Sequence, residues 1–185
     1  MSTVTHRMSA EELMRLPRGR ARYELVRGEL QTMSPSGSKH GAVSARLAQL
    51  IGNFVEAHQL GVVFGSETGF LVERNPDTVL APDVSFVRNE CIPQSGLPDG
   101  YWSGPPNLAV EVISPGDSKP KVADKVERWL AAGADAVWAV NPLTRAVEIY
   151  MKGTARRILQ ADDTLSGGEL LPKFEIQVAD LFWHR

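Results

Sequence analysis

Leu108-Ala-Val-Glu-Val-Ile113 is the stretch whose reading decides the fold. Apart from Glu111 it is a continuous apolar run, the pattern of a strand covered on both faces rather than one. Such a strand sits at the centre of a sheet, so the segment predicts an α/β arrangement in which a mixed central β-sheet is flanked by helices. Glu111 is the anomaly. A carboxylate inside a buried strand is costly unless it is paired, protonated or bound to a cation. Its ordinary fate is a buried salt bridge, and a metal ion is the economical alternative.

Downstream, Ser114-Pro115-Gly116 breaks the strand, and Val122, Val126, Trp129 and Leu130 form one stripe of an amphipathic helix over Ser118 to Ala132, with Gly133 as its C-terminal cap. Ala136 to Val140 and Ala146 to Met151 read as two strands about an Asn-Pro turn, and a short strand follows around Phe174 to Val178. Upstream, residues 89 to 106 hold four prolines and three glycines without periodicity, which marks a long surface loop. Asp83 to Val87 reads as a strand adjacent to the Leu108 one. Val62 to Ser66, Gly69 to Val72 and, after a polar turn at Asn75, Pro76 and Asp77, Asp83 to Val87 are expected as neighbouring strands. His40, Val43, Leu47, Leu50, Ile51, Phe54 and His58 recur at helical spacing, with the serine-rich run Ser34 to Ser38 as loop and cap. A hairpin over Tyr23 to Met33 turns at Arg27 and Gly28, and a short helix begins with a capping box, Ser9 to Glu12, and ends near Pro17.

The 185 residues suffice for one buried core, so residues 1–185 are expected as a single domain. No apolar run is long enough for a membrane span, and the first residues lack the features of a secretory signal, which points to a cytoplasmic protein. Cys91 is the only cysteine and takes no role; an internal disulfide and a Cys-rich zinc site are excluded. A formal net charge of −2 argues against indiscriminate coating of nucleic acid. Positive charge is nevertheless uneven: Arg15, Arg18, Arg20, Arg22 and Arg27 crowd one stretch, and Lys119, Lys121, Lys125 and Arg128 another.

Asp83 follows Pro82 at the start of its strand, where its side chain can converge with Glu111 on a shared hard cation. Singly, each carboxylate is better explained by a salt bridge or a turn cap. Together, at the mouths of two strands, they favour a site suited to Mg²⁺ or Mn²⁺.

The pair Pro82-Asp83 followed by Glu111-Val-Ile resembles the PD-(D/E)xK nuclease superfamily. The wider text is similar to a bacterial group of proposed endonucleases with a restriction-endonuclease-like fold, the Uma-two family. The matching stretches are Tyr23-Glu-Leu-Val-Arg-Gly-Glu-Leu30, Met33-Ser-Pro-Ser36 with His40 after it, Ala81-Pro-Asp-Val84, Leu108 to Pro115, Asp124-Lys125, Gly133 and Ala136 to Pro142. They run from about Glu12 to Leu181. The superfamily's usual lysine, two residues after the glutamate, is replaced here by Ile113. Lys125 flanks the buried stripe of the following helix and can lean back over the strand ends, whereas Lys121 and Arg128 point further outward. The resembled family places a lysine at this point too.

The same resemblance favours Glu24 as a site residue, although strand alternation alone leaves its face open. It also gives a functional alternative for His40, which lies on an apolar stripe where a satisfied core histidine is common; an orienting or proton-transfer role suits it better than a zinc cage. By resemblance, Asp83, Glu111 and the Val112 carbonyl hold Mg²⁺, Lys125 positions and activates water, Glu24 binds the metal's water shell or a second ion, and the basic segments align the phosphate backbone. The implied activity is a Mg-dependent endodeoxyribonuclease that hydrolyses nucleic acid, DNA foremost, as a homodimer, because two sites related by a two-fold axis cut both strands of a duplex most simply. Two alternatives stay open: an inactive nucleic-acid or protein-binding module of the same fold, and a hydrolase of a small phosphorylated substrate.

Overall fold

The computed structural model describes residues 7–17 and 22–182. Ser9 and Glu12 close the expected capping box, at 3.2 Å from the Glu12 N–H to Ser9 Oγ and 2.7 Å from the Ser9 N–H to Glu12 Oε2, at the head of α1 (Ala10–Arg15). The hairpin β1 (Arg22–Val26) and β2 (Glu29–Met33) and the helix α2 (Ser38–Ala57) follow. Next come β3 (Gly61–Gly65), β4 (Phe70–Glu73), β5 (Thr78–Leu80), β6 (Val84–Arg88), β7 (Trp102–Ser103) and β8 (Leu108–Val112). The chain continues through α3 (Lys119–Ala132), β9 (Ala136–Asn141), β10 (Ala146–Met151), β11 (Arg157–Leu159), β12 (Thr164–Ser166) and β13 (Glu175–Gln177). Ser118 caps α3 at its start, and Gly133 ends it in the left-handed region (φ 106°) that favours glycine.

The Leu108 run is central, as its composition requires. In the six-stranded sheet β11-β10-β9-β8-β6-β3, β8 pairs antiparallel with β6 and parallel with β9, and all five of its residues are buried. Leu108, Val110 and Val112 face Val43, Leu47, Ile51 and Val55 of α2, joined by Leu171, Phe174 and Val178 from the tail. On the opposite face Ala109, Val137 and Ala139 meet Val126 and Trp129 of α3. That cluster also takes in Val26, Phe70, Leu80 and Trp102 from the second sheet, β2-β1-β5-β4-β7. The expected mixed central sheet flanked by helices is therefore in place.

Several local expectations need correction. The chain forms two principal sheets, so the Val62 and Gly69 runs are not neighbours: β3 joins β6 in one sheet and β4 joins β5 in the other. The strand β5, absent from the sequence reading, lies between the Asn75-Pro76-Asp77 turn and Asp83; it is only three residues long and fully buried, so it offers no alternation to read. No serine side chain caps α2, whose N-cap is Gly37. The Pro/Gly-rich loop carries one-turn helix Asn89–Cys91 and buries Trp102, which pairs β7 parallel to β4. Arg18 and Arg20 of the first basic stretch lie outside the described residues.

Two glycines bracket β3, the strand that braces β6. A Cβ added at Gly61 falls 2.0 Å from the Val87 carbonyl oxygen, a backbone atom that can yield only by opening the β3–β6 pairing; one added at Gly65 meets nothing within 4 Å. Gly61→Ala is expected to cost about 1–3 kcal/mol in urea unfolding, while Gly65→Ala stays near wild type.

Candidate active site

Four elements deliver polar side chains to the C-terminal end of β8. The Asp83 N–H donates to the Val110 carbonyl at 3.0 Å, which extends the β6 pairing by one residue and fixes the aspartate beside β8. Its Oδ2 accepts the Val112 N–H at 2.8 Å. In a strand, one residue's N–H and C=O leave the same flank, so the Val112 carbonyl also faces the Asp83 side. His40 comes from the first turn of α2, buried on the stripe as its spacing required, and its Nε2 donates to Asp83 Oδ2 at 3.1 Å. Ser44, one turn on, donates to the His40 carbonyl at 2.9 Å.

Glu111 projects to the other face of the sheet, beneath α3. Lys125 Nζ donates to its Oε2 at 2.8 Å and lies 3.2 Å from Glu24 Oε1, so the lysine spans the two sheets. Glu24 is buried as well, and its Oε1 accepts the Ala81 N–H at 3.1 Å. The structure thus brings together every candidate residue: Glu24, His40, Asp83, Glu111, Val112 and Lys125. Ile113 packs among the residues under α3, on the face that Lys125 reaches. Lys121 is bound instead by Asp117 at 2.8 Å, and Arg128 by Asp124 at 2.9 Å, both further out.

One partner was missed. The Trp129 indole N–H donates to Glu111 Oε1 at 2.7 Å, and the ring is fully buried. Trp129 reads as a core residue of the α3 stripe, which it also is. The available signal was its spacing: a residue four after Lys125 stands on the same helix face.

The electrostatics follow from burial and from too few cations. Burial pushes the Glu111 carboxyl up to about 7 despite Lys125, and the charges of Asp83 and Glu24 push in the same direction. Burial pulls Lys125 down, but Glu111 and Glu24 outweigh it and the ammonium holds its proton more tightly than a free lysine. His40 is raised, chiefly by its hydrogen bond to Asp83, against the opposing effect of burial. These side chains line a cleft of about 480 Å³, whose walls also include Arg22, Gln31 and Thr32 of the hairpin. Arg22 is itself held, its guanidinium donating to Ser66 Oγ at 2.6 Å and to Glu67 at 3.2 Å. Among the described residues, no group of three or more His, Cys, Asp or Glu side chains is arranged to hold a metal ion. The carboxylates gathered at this site are those of Glu24, Asp83 and Glu111, with the Val112 carbonyl beside them.

The family model "Uma2: Putative restriction endonuclease" matches residues 10–179. The chain belongs to the Uma2 family. The match spans both sheets and every side chain of the cluster. A crystal structure described as a "putative nuclease belonging to DUF820" from Anabaena variabilis ATCC 29413 is 20% identical, covers 95% of this Uma2 chain and 97% of its own, and superposes with a TM-score of 0.83. At that identity the likeness is one of fold. No curated protein matches the sequence. Among the described residues, no helix is long and apolar enough to cross a membrane.

Because the folded pKa of His40 lies above its unfolded value of about 6.5, its contribution to stability is fully present below that pH and is lost as pH rises through the folded pKa. In EDTA, the Tm difference between wild type and His40→Gln is therefore expected to be largest below about pH 6.5 and to shrink on the alkaline side. A pH-independent difference would mean that the His40 ion pair contributes nothing.

Proposed function

We propose that this Uma2 chain is a metal-dependent endonuclease that hydrolyses phosphodiester bonds of DNA. The observation that carries the reading is the convergence of Asp83, Glu111 and Lys125 in one cleft, with the lysine supplied by α3 in place of Ile113. Family membership and the nuclease-like fold support it.

Asp83, Glu111 and the Val112 carbonyl would hold Mg²⁺ or Mn²⁺: hard oxygen donors with places left for water suit these ions, and a carboxylate cluster held by too little positive charge favours a cation. When bound, the ion neutralises charge on the scissile phosphate and the leaving oxygen. His40 and the Val112 N–H fix Asp83 from two directions. Lys125 keeps its proton, so it acts by donating: it positions the attacking water and offsets charge developing on the phosphate, without taking up a proton itself. Glu24 orients Lys125 through their ion pair, and its carboxylate would accept from water held at the site. Hydrolysis forms a bond from water oxygen to phosphorus and breaks the ester bond, leaving a phosphate monoester and a hydroxyl. A homodimer with two-fold symmetry would present two such clefts to the two strands of a duplex; light scattering that finds only monomer removes the dimer and leaves the chemistry intact.

Cleavage of labelled plasmid, single-stranded DNA, RNA and nucleotides with Mg²⁺ or Mn²⁺ tests the reading and separates it from a binding module and from a hydrolase of small phosphorylated substrates. Lys125→Ala is expected to lower kcat by about 10²–10³ while metal affinity is largely kept. Lys121→Ala should leave kcat nearly unchanged, since that ammonium is held by Asp117. Equal losses in the two variants would point to diffuse attraction of phosphate. Mn²⁺ should raise the wild-type Tm by mass action, and Asp83→Asn and Glu111→Gln should each weaken that response.

A further inference from the structure

We propose that Trp129 is a positioning residue: its indole N–H, with Lys125 one helical turn away, clamps the Glu111 carboxylate in the orientation that presents it to a divalent cation. The inference rests on the metal-dependent reading above. Both oxygens of Glu111 are engaged by α3, Oε2 by Lys125 Nζ at 2.8 Å and Oε1 by Trp129 Nε1 at 2.7 Å. Two donors on two oxygens stop rotation about the last side-chain bond, which a single lysine on a flexible stem cannot do. Each carboxylate oxygen can accept more than one contact, so the clamp fixes the plane of the group and leaves acceptor capacity for an ion.

The indole is itself held by the core. It is fully buried, and Phe70 of the second sheet meets it edge to face, with ring centroids 6.1 Å apart. The direction of the N–H is thus set by packing between the two sheets, and it does not have to be ordered when a ligand arrives. A donor chosen only to fill this space did not need to be polar. Phenylalanine would pack without an N–H to satisfy; the indole has one, and its partner is the carboxylate proposed to bind the metal.

Outer partners of metal ligands typically contribute about 10- to 100-fold in metal affinity. The test is calorimetric titration of the full chain with MnCl₂, without nucleic acid, for wild type, Trp129→Phe and a chain with 3-benzothienylalanine at position 129. That analogue keeps the outline of the indole and replaces its N–H by sulfur, so it decides the question should Trp129→Phe not fold. Both replacements at 129 are expected to weaken the Mn²⁺ Kd by about 10- to 100-fold. Urea unfolding in EDTA, run alongside, separates affinity from stability. A stability loss with an unchanged Kd in the folded replacements means that Trp129 only fills the core, and overturns the proposal while the metal reading stands. Absence of Mn²⁺ binding by the wild type at millimolar concentration overturns both.

Discussion

A carboxylate in the middle of a strand covered on both faces cannot be left to itself, and most of this site can be understood as the surroundings that Glu111 demands. Most water is displaced from around it by α3 and the second sheet, and Glu111 keeps only 7% of its surface exposed, toward the cleft. What replaces water is an ammonium and an indole N–H, delivered by one face of α3. That arrangement still falls short of full compensation, because Asp83 and Glu24 stand close enough to oppose ionisation. The protein thus gathers three carboxyl groups, those of Glu24, Asp83 and Glu111, around the end of a fully buried strand. Charge of that kind is expensive for stability, which is the physical ground on which a cation is proposed there.

The two sheets have different parts in this. The six-stranded sheet carries Asp83 and Glu111 on adjacent antiparallel strands, which sets their relative position through backbone hydrogen bonds rather than side-chain packing. The second sheet brings Glu24, and through Phe70 and Trp102 it supports the helix that reaches over the strands. Lys125 lies between them, bonded to a carboxylate from each. An ammonium held that way has lost most of its freedom and holds its proton tightly.

The peripheral cations have a different character. Lys121, Arg128 and Arg22 are each held by a nearby carboxylate at the rim of the cleft. Such exposed pairs contribute little to stability, and salt screens them readily. The long-range attraction they can exert on a polyanion is modest, in keeping with the small negative net charge of the chain.

The sequence by itself determined what composition and periodicity can carry. A continuous apolar run had to be a central strand, the stripe from His40 to His58 had to be a buried helix face, and a lone glutamate inside that run had to have partners. The convergence of Asp83, Glu111 and Lys125 was legible because two strand mouths and a helix flank are local features. The tertiary structure alone decided the division into two sheets, since short buried strands such as β5 show no alternation and pairing partners depend on residues far apart in the chain. It also decided the neighbours of each group: Glu24 beside Lys125, His40 on Asp83, and Trp129 on Glu111. An indole on a buried stripe looks like core in any sequence. Only the direction of its N–H, fixed by packing against Phe70, makes it a partner of the carboxylate.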